Sequence, residues 1–146
     1  MHICKARATD RAEWLRLRQT LFPDEAPESW TDEFESYLQN PDIGLFVAER
    51  QNGKLAGFIY VGLRNYAEDC ETSPVAFIEE LFVDADMRRQ GLGKALVATA
   101  EAWAKARDLR EIASDTWLEN ELSIQAHQAL GYEEVVRLVC FKKELG

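Results

Sequence analysis

The chain has 146 residues, 47% of them hydrophobic, and a formal net charge of −9. This length suits one compact domain, the hydrophobic content excludes a disordered acidic tail, and the negative charge argues against non-specific binding to nucleic acid or anionic membranes. No apolar run approaches the roughly 20 residues of a membrane span, and the N-terminus lacks the apolar core of a signal peptide. The three cysteines and two histidines form no disulfide or zinc pattern, so we expect a cytoplasmic protein without a metal.

The first forty residues predict an edge strand and two helices. Residues 2–6 are short and mixed in character. A capping box formed by Asp10 and Glu13 opens the first helix, whose apolar residues recur at helical spacing until two prolines interrupt it. The second helix ends near Pro41 and carries an apolar face, consisting of Trp30, Phe34, Tyr37 and Leu38.

Strand patterns follow in the middle of the chain. Residues 45–50 and 55–64 are rich in strand-forming residues and are joined through Asn52-Gly53, which is a strong hairpin signal. Residues 76–83 predict a further strand. Side chains alternate between the two faces of a strand, so we expect Phe77, Glu79 and Leu81 to share one face.

The last third of the chain alternates between helix and strand patterns. A helix is predicted from Gly91, a short strand at 111–114 and a helix at 119–130 that stops at a glycine. Residues 132–143 are again rich in strand-forming residues. The sequence contains no repeat, low-complexity tract or linker, so the order of elements predicts one α/β domain over residues 1–146.

The most specific local pattern is Arg-Arg-Gln-Gly-Leu-Gly-Lys at residues 88–94, between a predicted strand and a predicted helix. Two glycines let backbone N–H groups approach a ligand, and the unpaired amides and dipole of a helix N-terminus favour a phosphate or pyrophosphate. The spacing matches neither the Walker loop nor the dinucleotide GxGxxG pattern. An ordinary strand-to-helix turn can carry the same two glycines, so both interpretations stay open at this point.

The acidic residues are concentrated in two segments. Residues 19–49 contain eight Asp or Glu and residues 65–87 contain seven, and neither segment contains Lys or Arg. Basic residues gather immediately afterwards, from Arg88 onwards. Such a division could hold an anion at one place and a cation at another, although solvated surfaces would produce the same pattern.

The order of helix, helix, hairpin, strand, R-x-x-G-x-G, helix, strand, helix, strand resembles the GNAT superfamily of acetyl-CoA-dependent N-acetyltransferases. The resemblance implies a single α/β (α+β) domain whose mixed, mostly antiparallel central sheet is flanked by helices. It also implies acetyl-CoA as cosubstrate, with its pyrophosphate bound by the turn and its pantetheine arm bound by the preceding strand and the last helix. The residues implied for acetyl-CoA are Leu81, Val83, Arg88, Arg89, Gln90, Gly91, Leu92, Gly93, Lys94 and Asn120.

Three longer blocks, at residues 71–79, 113–116 and 127–131, look like the aminoglycoside 6′-N-acetyltransferases. This narrower resemblance implies acetyl transfer to the 6′-amine of a polycationic aminoglycoside, and thus antibiotic resistance, by direct transfer in a ternary complex. It also implies a homodimer that forms partly through C-terminal strands such as 133–143.

Acetyl transfer requires a neutral attacking amine, a polarised thioester carbonyl and a protonated leaving thiolate. By resemblance, Glu79 and Asp115 hold or deprotonate the acceptor amine and Tyr66 lines the same cleft, while Glu80 adds a further carboxylate beside the site or crowds it. His127 stands where the wider superfamily commonly has a tyrosine that protonates the CoA thiolate. Structural roles are the alternatives: a rim carboxylate for Glu79, a helix cap for Asp115 and a helix residue for His127.

Two other functions are compatible with the sequence. The first is a GNAT enzyme whose acceptor is a polyamine or a protein N-terminus, since both offer amines. The second is a non-catalytic module that binds acyl-CoA. The intact R-x-x-G-x-G pattern together with two candidate carboxylates favours catalysis.

Overall fold

The computed structural model describes residues 1–146. It contains five strands and four α-helices in one domain. In chain order these are β1 (His2–Lys5), α1 (Arg11–Leu21), α2 (Trp30–Gln39), β2 (Gly44–Glu49), β3 (Leu55–Arg64), β4 (Val75–Val83), α3 (Leu92–Ala106), β5 (Ile112–Ser114) and α4 (Glu121–Ala129). None of these helices combines the length and apolarity needed to cross a membrane.

The strands form one sheet in the order β1-β2-β3-β4-β5. Strands β1 to β4 pair antiparallel with their neighbours, and β5 pairs parallel with β4. The predicted fold class, a mixed and mostly antiparallel sheet flanked by helices, is therefore confirmed. The predicted Asn52-Gly53 hairpin is present: Gly53 has a φ of +83° and the Lys54 N–H donates to the Asn52 side chain at 3.0 Å.

The core lies on both faces of the sheet. On one face, α1 and α2 bury an aromatic cluster against β2 and β3, in which Trp14 lies 5.1 Å from Phe34 and 6.0 Å from Phe58 between ring centroids. On the other face, α3 buries Leu96 and Trp103 against the sheet. Both faces of the central strands are therefore apolar, which explains why β3 lacks the alternation of a half-exposed strand.

A β-bulge in β4 changes which face each side chain occupies. Tyr60 pairs with Glu80 and Val61 pairs with Ile78, so Glu79 is the extra residue of the bulge. Before the bulge, Ile78 packs on the α3 face, and after it Leu81 packs on that same face. The expectation that Phe77, Glu79 and Leu81 share a face is wrong because it assumed unbroken alternation.

Two local expectations differ from the structure. Asp10 and Glu13 form no capping box: the Asp10 carboxylate accepts from the Arg7 N–H at 2.8 Å, and Glu13 accepts from the Leu55 N–H at 3.0 Å. Residues 133–146 form no strand, although they are rich in strand-forming residues. A strand requires a hydrogen-bonding neighbour, and this segment pairs with no strand of its own chain.

Candidate active site

The site is organised by the divergence of β4 and β5. The two strands pair only from Ala76 to Ile78, where the partner of Ile78 is Ser114. Beyond that point β3 still pairs with one edge of β4, while the other edge of residues 79–83 faces no strand. An unpaired edge offers backbone N–H and C=O groups to an extended ligand. This edge connects the acidic bulge at one end to the glycine turn at the other.

The glycine turn lies at the N-terminus of α3. Gly91 caps the helix with a φ of +81°, and the Ala95 N–H is bonded to the Gly91 carbonyl at 3.0 Å. The amides of Leu92, Gly93 and Lys94 precede this first helical bond, and the dipole favours an anion beside them. A Cβ added to Gly93 would meet no atom of the chain within 4 Å. The fold itself therefore gives no steric reason for glycine at this position.

The two arginines that open the turn have different environments. Arg88 donates through Nε to the Val83 carbonyl at 3.0 Å and lies over the ring of Phe82, which fixes the turn to the end of β4. Arg89 is exposed and has a φ of +61°, the left-handed region that non-glycine residues rarely adopt. This backbone conformation turns the chain sharply before α3 begins.

Glu79 forms an ion pair with Arg64, which lies at the end of β3. Arg64 Nε is 3.1 Å from Glu79 Oε2, and Arg64 also stacks on Phe77 with its guanidinium carbon 3.5 Å from the ring centroid. Hydrogen bonds to Glu79 raise the pKa of Arg64, and the nearby charge of Asp115 adds to this effect. Glu79 and Asp115 therefore both act on the charge of Arg64, a cation that the sequence pattern does not identify.

Glu80 is oriented differently from Glu79 because it follows the bulge. Its carboxylate receives two bonds from Arg18, at 3.0 and 2.8 Å, and both side chains are only 9% exposed. Burial raises the pKa of Glu80, and the bonds from Arg18 oppose that rise. Arg18 also pairs with Glu33 and lies over the ring of Trp14. The sequence predicted that the Glu80 carboxylate lies beside the acceptor. In the structure this carboxylate is bonded to Arg18, and the pair holds α1 against β4.

The loop between β3 and β4 carries Tyr66. Its side chain is 65% exposed, and its hydroxyl donates to Glu68 at 3.1 Å, which raises the pKa of Tyr66. The far end of the loop is fixed by Glu111, whose carboxylate accepts from the backbone N–H of Glu71 at 2.9 Å and of Thr72 at 2.7 Å. An exposed phenol on an anchored loop next to Arg64 is available to a ligand.

Helix α4 carries His127 and is capped by Asn120, two of the residues predicted from the sequence to act in the site. Asn120 caps the helix by accepting from the Ser123 N–H at 3.1 Å. His127 is half-buried about two turns further along the helix. Its Nδ1 lies 2.7 Å from the Ser123 carbonyl and its Nε2 lies 2.9 Å from the Ser114 hydroxyl. The side chains of α4 and the end of β5 are thereby connected.

A separate group of possible metal ligands lies at the opposite edge of the sheet. The ligand atoms of His2, Cys4 and Glu49 lie within 4.8 Å of one another. Glu49 already forms an ion pair with Arg7, which supplies the positive charge that a metal ion would otherwise provide. The candidate site described above includes none of these residues.

A family model described as "Acetyltransferase (GNAT) family" matches residues 11–132. The chain belongs to this family. The GNAT family model spans strands β2 to β5, the glycine turn and α4, so it covers the residues assigned above to acetyl-CoA and to the acceptor. The resemblance predicted from the R-x-x-G-x-G pattern and the order of elements is confirmed.

Similarity to individual proteins identifies a smaller group within the GNAT family. The chain is 40% identical over 140 residues to "Aminoglycoside N(6')-acetyltransferase type 1" of Klebsiella aerogenes, covering 94% of this chain and 92% of that protein. It is also 40% identical over 134 residues to the protein of the same name from Serratia marcescens, covering 91% and 92% respectively. The three sequence blocks that predicted this group are therefore supported by similarity over nearly the whole length.

Solved GNAT structures agree with this placement. AAC(6')-Iy in complex with the bisubstrate analog CoA-S-monomethyl-acetylneamine superimposes with a TM-score of 0.93 at 34% identity, covering 99% of this chain and 98% of that one. The aminoglycoside antibiotic 6'-N-acetyltransferase AAC(6')-Ih from Acinetobacter baumannii gives a TM-score of 0.91 at 34% identity, covering 99% of both chains.

Proposed function

We propose that this protein transfers the acetyl group of acetyl-CoA to the 6′-amine of aminoglycosides, an activity that confers antibiotic resistance. The observation that carries the proposal is the open edge of β4, which has a glycine turn at a helix N-terminus at one end and the Glu79 carboxylate at the other. Identity of 40% over 94% of the chain to an aminoglycoside N(6')-acetyltransferase supports the choice of acceptor.

The turn and the open strand edge fit acetyl-CoA. The free amides at the start of α3 would bind the pyrophosphate, with Arg89 and Lys94 supplying positive charge. The pantetheine arm would then pair with the edge of β4 at Leu81, between the turn and the bulge. Five extended residues, 79–83, span roughly 17 Å. The acetyl group would therefore lie close to Glu79, at the bulge.

The acceptor amine would bind beside Glu79 and Asp115, whose charges both act on Arg64. An aminoglycoside is a polycation, so it gains from carboxylates, and Glu79 can accept the amine proton directly or through a water. With both substrates bound side by side, the amine attacks the thioester carbon directly and no enzyme nucleophile is needed. Arg64 forms an ion pair with Glu79 in the structure. An incoming ammonium group would therefore compete with the Arg64 guanidinium for the Glu79 carboxylate.

Steady-state kinetics of CoA release test this proposal. Glu79→Gln should lower kcat by about 10²-fold or more, within the range of general base catalysis, while the dissociation constant of acetyl-CoA stays unchanged. Glu28→Gln is the matched control, because Glu28 is an exposed carboxylate of the α1–α2 segment. Turnover only with spermidine or with peptides would instead support the other two acceptor classes. Binding of CoA without release of thiol for any amine would support a non-catalytic module.

We also propose that the protein is a homodimer formed through its C-terminal segment, residues 133–146. Six large apolar side chains of this segment are exposed, from 44% at Val136 to 92% at Leu145. Such a concentration of exposed apolar area is unusual for a monomer, and β5 at the edge of the sheet has only one neighbour. A second copy would supply the missing strand partner and cover these side chains.

Light scattering on the purified protein tests the dimer. The wild type should have twice the chain mass, and the double variant Val139→Asp/Phe141→Asp should be monomeric at micromolar concentration. Lys143→Glu is a control in the same segment, because it changes charge without adding a polar group to the apolar surface. A monomeric wild type, or a double variant that stays dimeric, would contradict this interface.

We further propose that the protein acts in the cytoplasm on small polycations, without nucleic-acid or membrane partners. Its three cysteines are all free, as expected in a reducing compartment. The net charge of −9 disfavours anionic polymers and surfaces. Fractionation of cells that produce the protein, followed by immunoblotting of the soluble and membrane fractions, tests the location.

A further inference from the structure

His127 has no ring nitrogen free for a ligand. Its Nδ1 lies 2.7 Å from the carbonyl oxygen of Ser123, and a carbonyl can only accept, so Nδ1 carries a proton. Its Nε2 lies 2.9 Å from the Ser114 hydroxyl. In the neutral ring Nε2 accepts from Ser114, and in the protonated ring Nε2 donates to Ser114. A proton that leaves the ring at Nε2 therefore passes to the Ser114 oxygen.

Ser114 lies at the point where β4 and β5 diverge. It is the last residue of β5 and pairs with Ile78, the residue before the bulge at Glu79. In the proposed binding mode, an extended arm that runs from the glycine turn along the free edge of β4 would end at this point. Both Ser114 and His127 are half-buried, so their bond is shielded while the serine remains within reach of a ligand.

We propose that Ser114 relays a proton from His127 to the leaving sulfur of CoA. This inference rests on the proposed acetyl transfer, although not on the identity of the acceptor. When the C–S bond of the tetrahedral intermediate breaks, its electron pair goes to sulfur, and sulfur takes the hydroxyl proton of Ser114. The Ser114 oxygen takes the Nε2 proton of His127 in the same step. His127 is left neutral, with its remaining proton on Nδ1, and regains a proton from water between turnovers.

Two other hydroxyls lie near His127, and neither lies at Nε2. The Ser123 hydroxyl is 3.4 Å from Nδ1, the nitrogen that donates to the Ser123 carbonyl. Tyr132 packs edge-on against His127 with ring centroids 5.9 Å apart, but its hydroxyl donates to Glu101 at 2.8 Å. Burial raises the pKa of Tyr132, and the bond to Glu101 adds to the rise, so the phenol is a poor proton donor. Ser114 is the hydroxyl that lies at Nε2 of His127 and also borders the open edge of β4.

A matched pair of variants tests the relay. Ser114→Thr keeps a hydroxyl and Ser114→Val has nearly the same shape without one, and both side chains suit a strand. The threonine variant should keep kcat within about threefold of the wild type, and the valine variant should lose about 10²-fold, the low end of general acid catalysis. The dissociation constant of acetyl-CoA should be unchanged in both. Ser36→Ala, an exposed serine of α2, is the control.

Two further readouts separate the relay from a purely structural role. The solvent isotope effect on kcat should be present in the wild type and absent in Ser114→Val, where the sulfur leaves without a proton from the enzyme. His127→Ala combined with Ser114→Val should lose no more activity than either single variant, because residues that act as a unit are not additive. Equal kcat for the threonine and valine variants, or multiplicative losses in the double variant, would overturn the proposal.

The acceptor does not affect this test, because the relay acts on the leaving group. Absence of acetylation of every aminoglycoside by the wild type would reject the proposed acceptor. The same variants would then be compared with whichever amine is turned over, such as spermidine or a peptide. An enzyme that is active on any amine and tolerates Ser114→Val would reject the relay alone, and a wild type that releases no CoA with any amine would reject both.

Discussion

Replacing Arg18 with methionine removes the cation that compensates a buried carboxylate. Arg18 and Glu80 are both only 9% exposed and share two hydrogen bonds, so Arg18→Met leaves Glu80 buried without a partner. Breaking such a pair costs about 3–5 kcal/mol. For a domain near 150 residues each kcal/mol lowers the Tm by roughly 2–4 °C, so the Tm should fall by about 6–20 °C.

The pH dependence of the destabilisation by Arg18→Met follows from the direction in which the pKa of Glu80 is shifted. Burial raises the pKa of Glu80, and removal of Arg18 raises it further, because the opposing hydrogen bonds disappear. A protonated Glu80 needs no counter-charge, so the folded Arg18→Met protein is favoured at low pH and disfavoured as the pH rises through the folded pKa. The destabilisation should therefore be smaller at pH 5 than at pH 8.

Urea unfolding followed by tryptophan fluorescence measures these differences. The double variant Arg18→Met/Glu80→Met should recover most of the loss, since two apolar side chains can replace a buried pair at little cost. Arg11→Met is the control: Arg11 and Glu35 are 51% and 58% exposed, and an exposed pair contributes at most about 1 kcal/mol. Additive losses in the double variant, or a loss below about 1 kcal/mol for Arg18→Met, would show that Arg18 and Glu80 do not stabilise the fold as a coupled buried ion pair.

Three further predictions concern the loop, the turn and the acceptor site. Hydrogen bonds from Thr72 lower the pKa of Glu111 in the folded protein. The stabilisation from Glu111 is therefore present above its unfolded pKa of about 4.3 and is lost as the pH falls through the folded pKa. In urea unfolding at several pH values, the free energy of unfolding of Glu111→Gln should fall less steeply at acidic pH than that of the wild type. Gly93→Ala should leave the Tm unchanged or higher and weaken CoA binding in calorimetry, whereas unchanged affinity would contradict a close ligand. Arg64→Gln should lower the KM for aminoglycosides several-fold by freeing Glu79, and an unchanged KM in steady-state assays would count against that competition.

Local patterns predicted most of the fold. The Asn52-Gly53 hairpin formed where expected because its turn chemistry acts within four residues. The glycine turn was also identified correctly as the start of a helix, since Gly91 adopts a positive φ at the cap of α3. These features depend on neighbouring residues, so the sequence is sufficient to specify them.

The site depends on contacts between distant residues, and these were harder to predict. Glu80 pairs with a residue 62 positions away, and Arg64 pairs with Glu79 across two strands. The bulge that separates the roles of Glu79 and Glu80 depends on the pairing of β4 with β3, and no local pattern marked it. Arg64 did carry one signal: it is the basic residue that directly precedes the second acid-only segment.

In the C-terminal segment, a clear local pattern gave a wrong prediction of secondary structure. Its residues have strong strand propensity, yet residues 133–146 form no strand because the chain offers them no partner. Propensity describes a preference, and a strand forms only when a neighbour completes its hydrogen bonds.

Acetyl transfer to a 6′-amine is tested most directly with a matched pair of acceptors. Neomycin and paromomycin differ in carrying an amine or a hydroxyl at the 6′ position. With acetyl-CoA and purified protein, neomycin should yield one acetylated product whose NMR spectrum places the acetyl group on the 6′ nitrogen, and paromomycin should yield no N-acetylated product at that position. Equal acetylation of both compounds, or turnover confined to spermidine or peptides, would contradict 6′-N-acetylation of aminoglycosides by this protein.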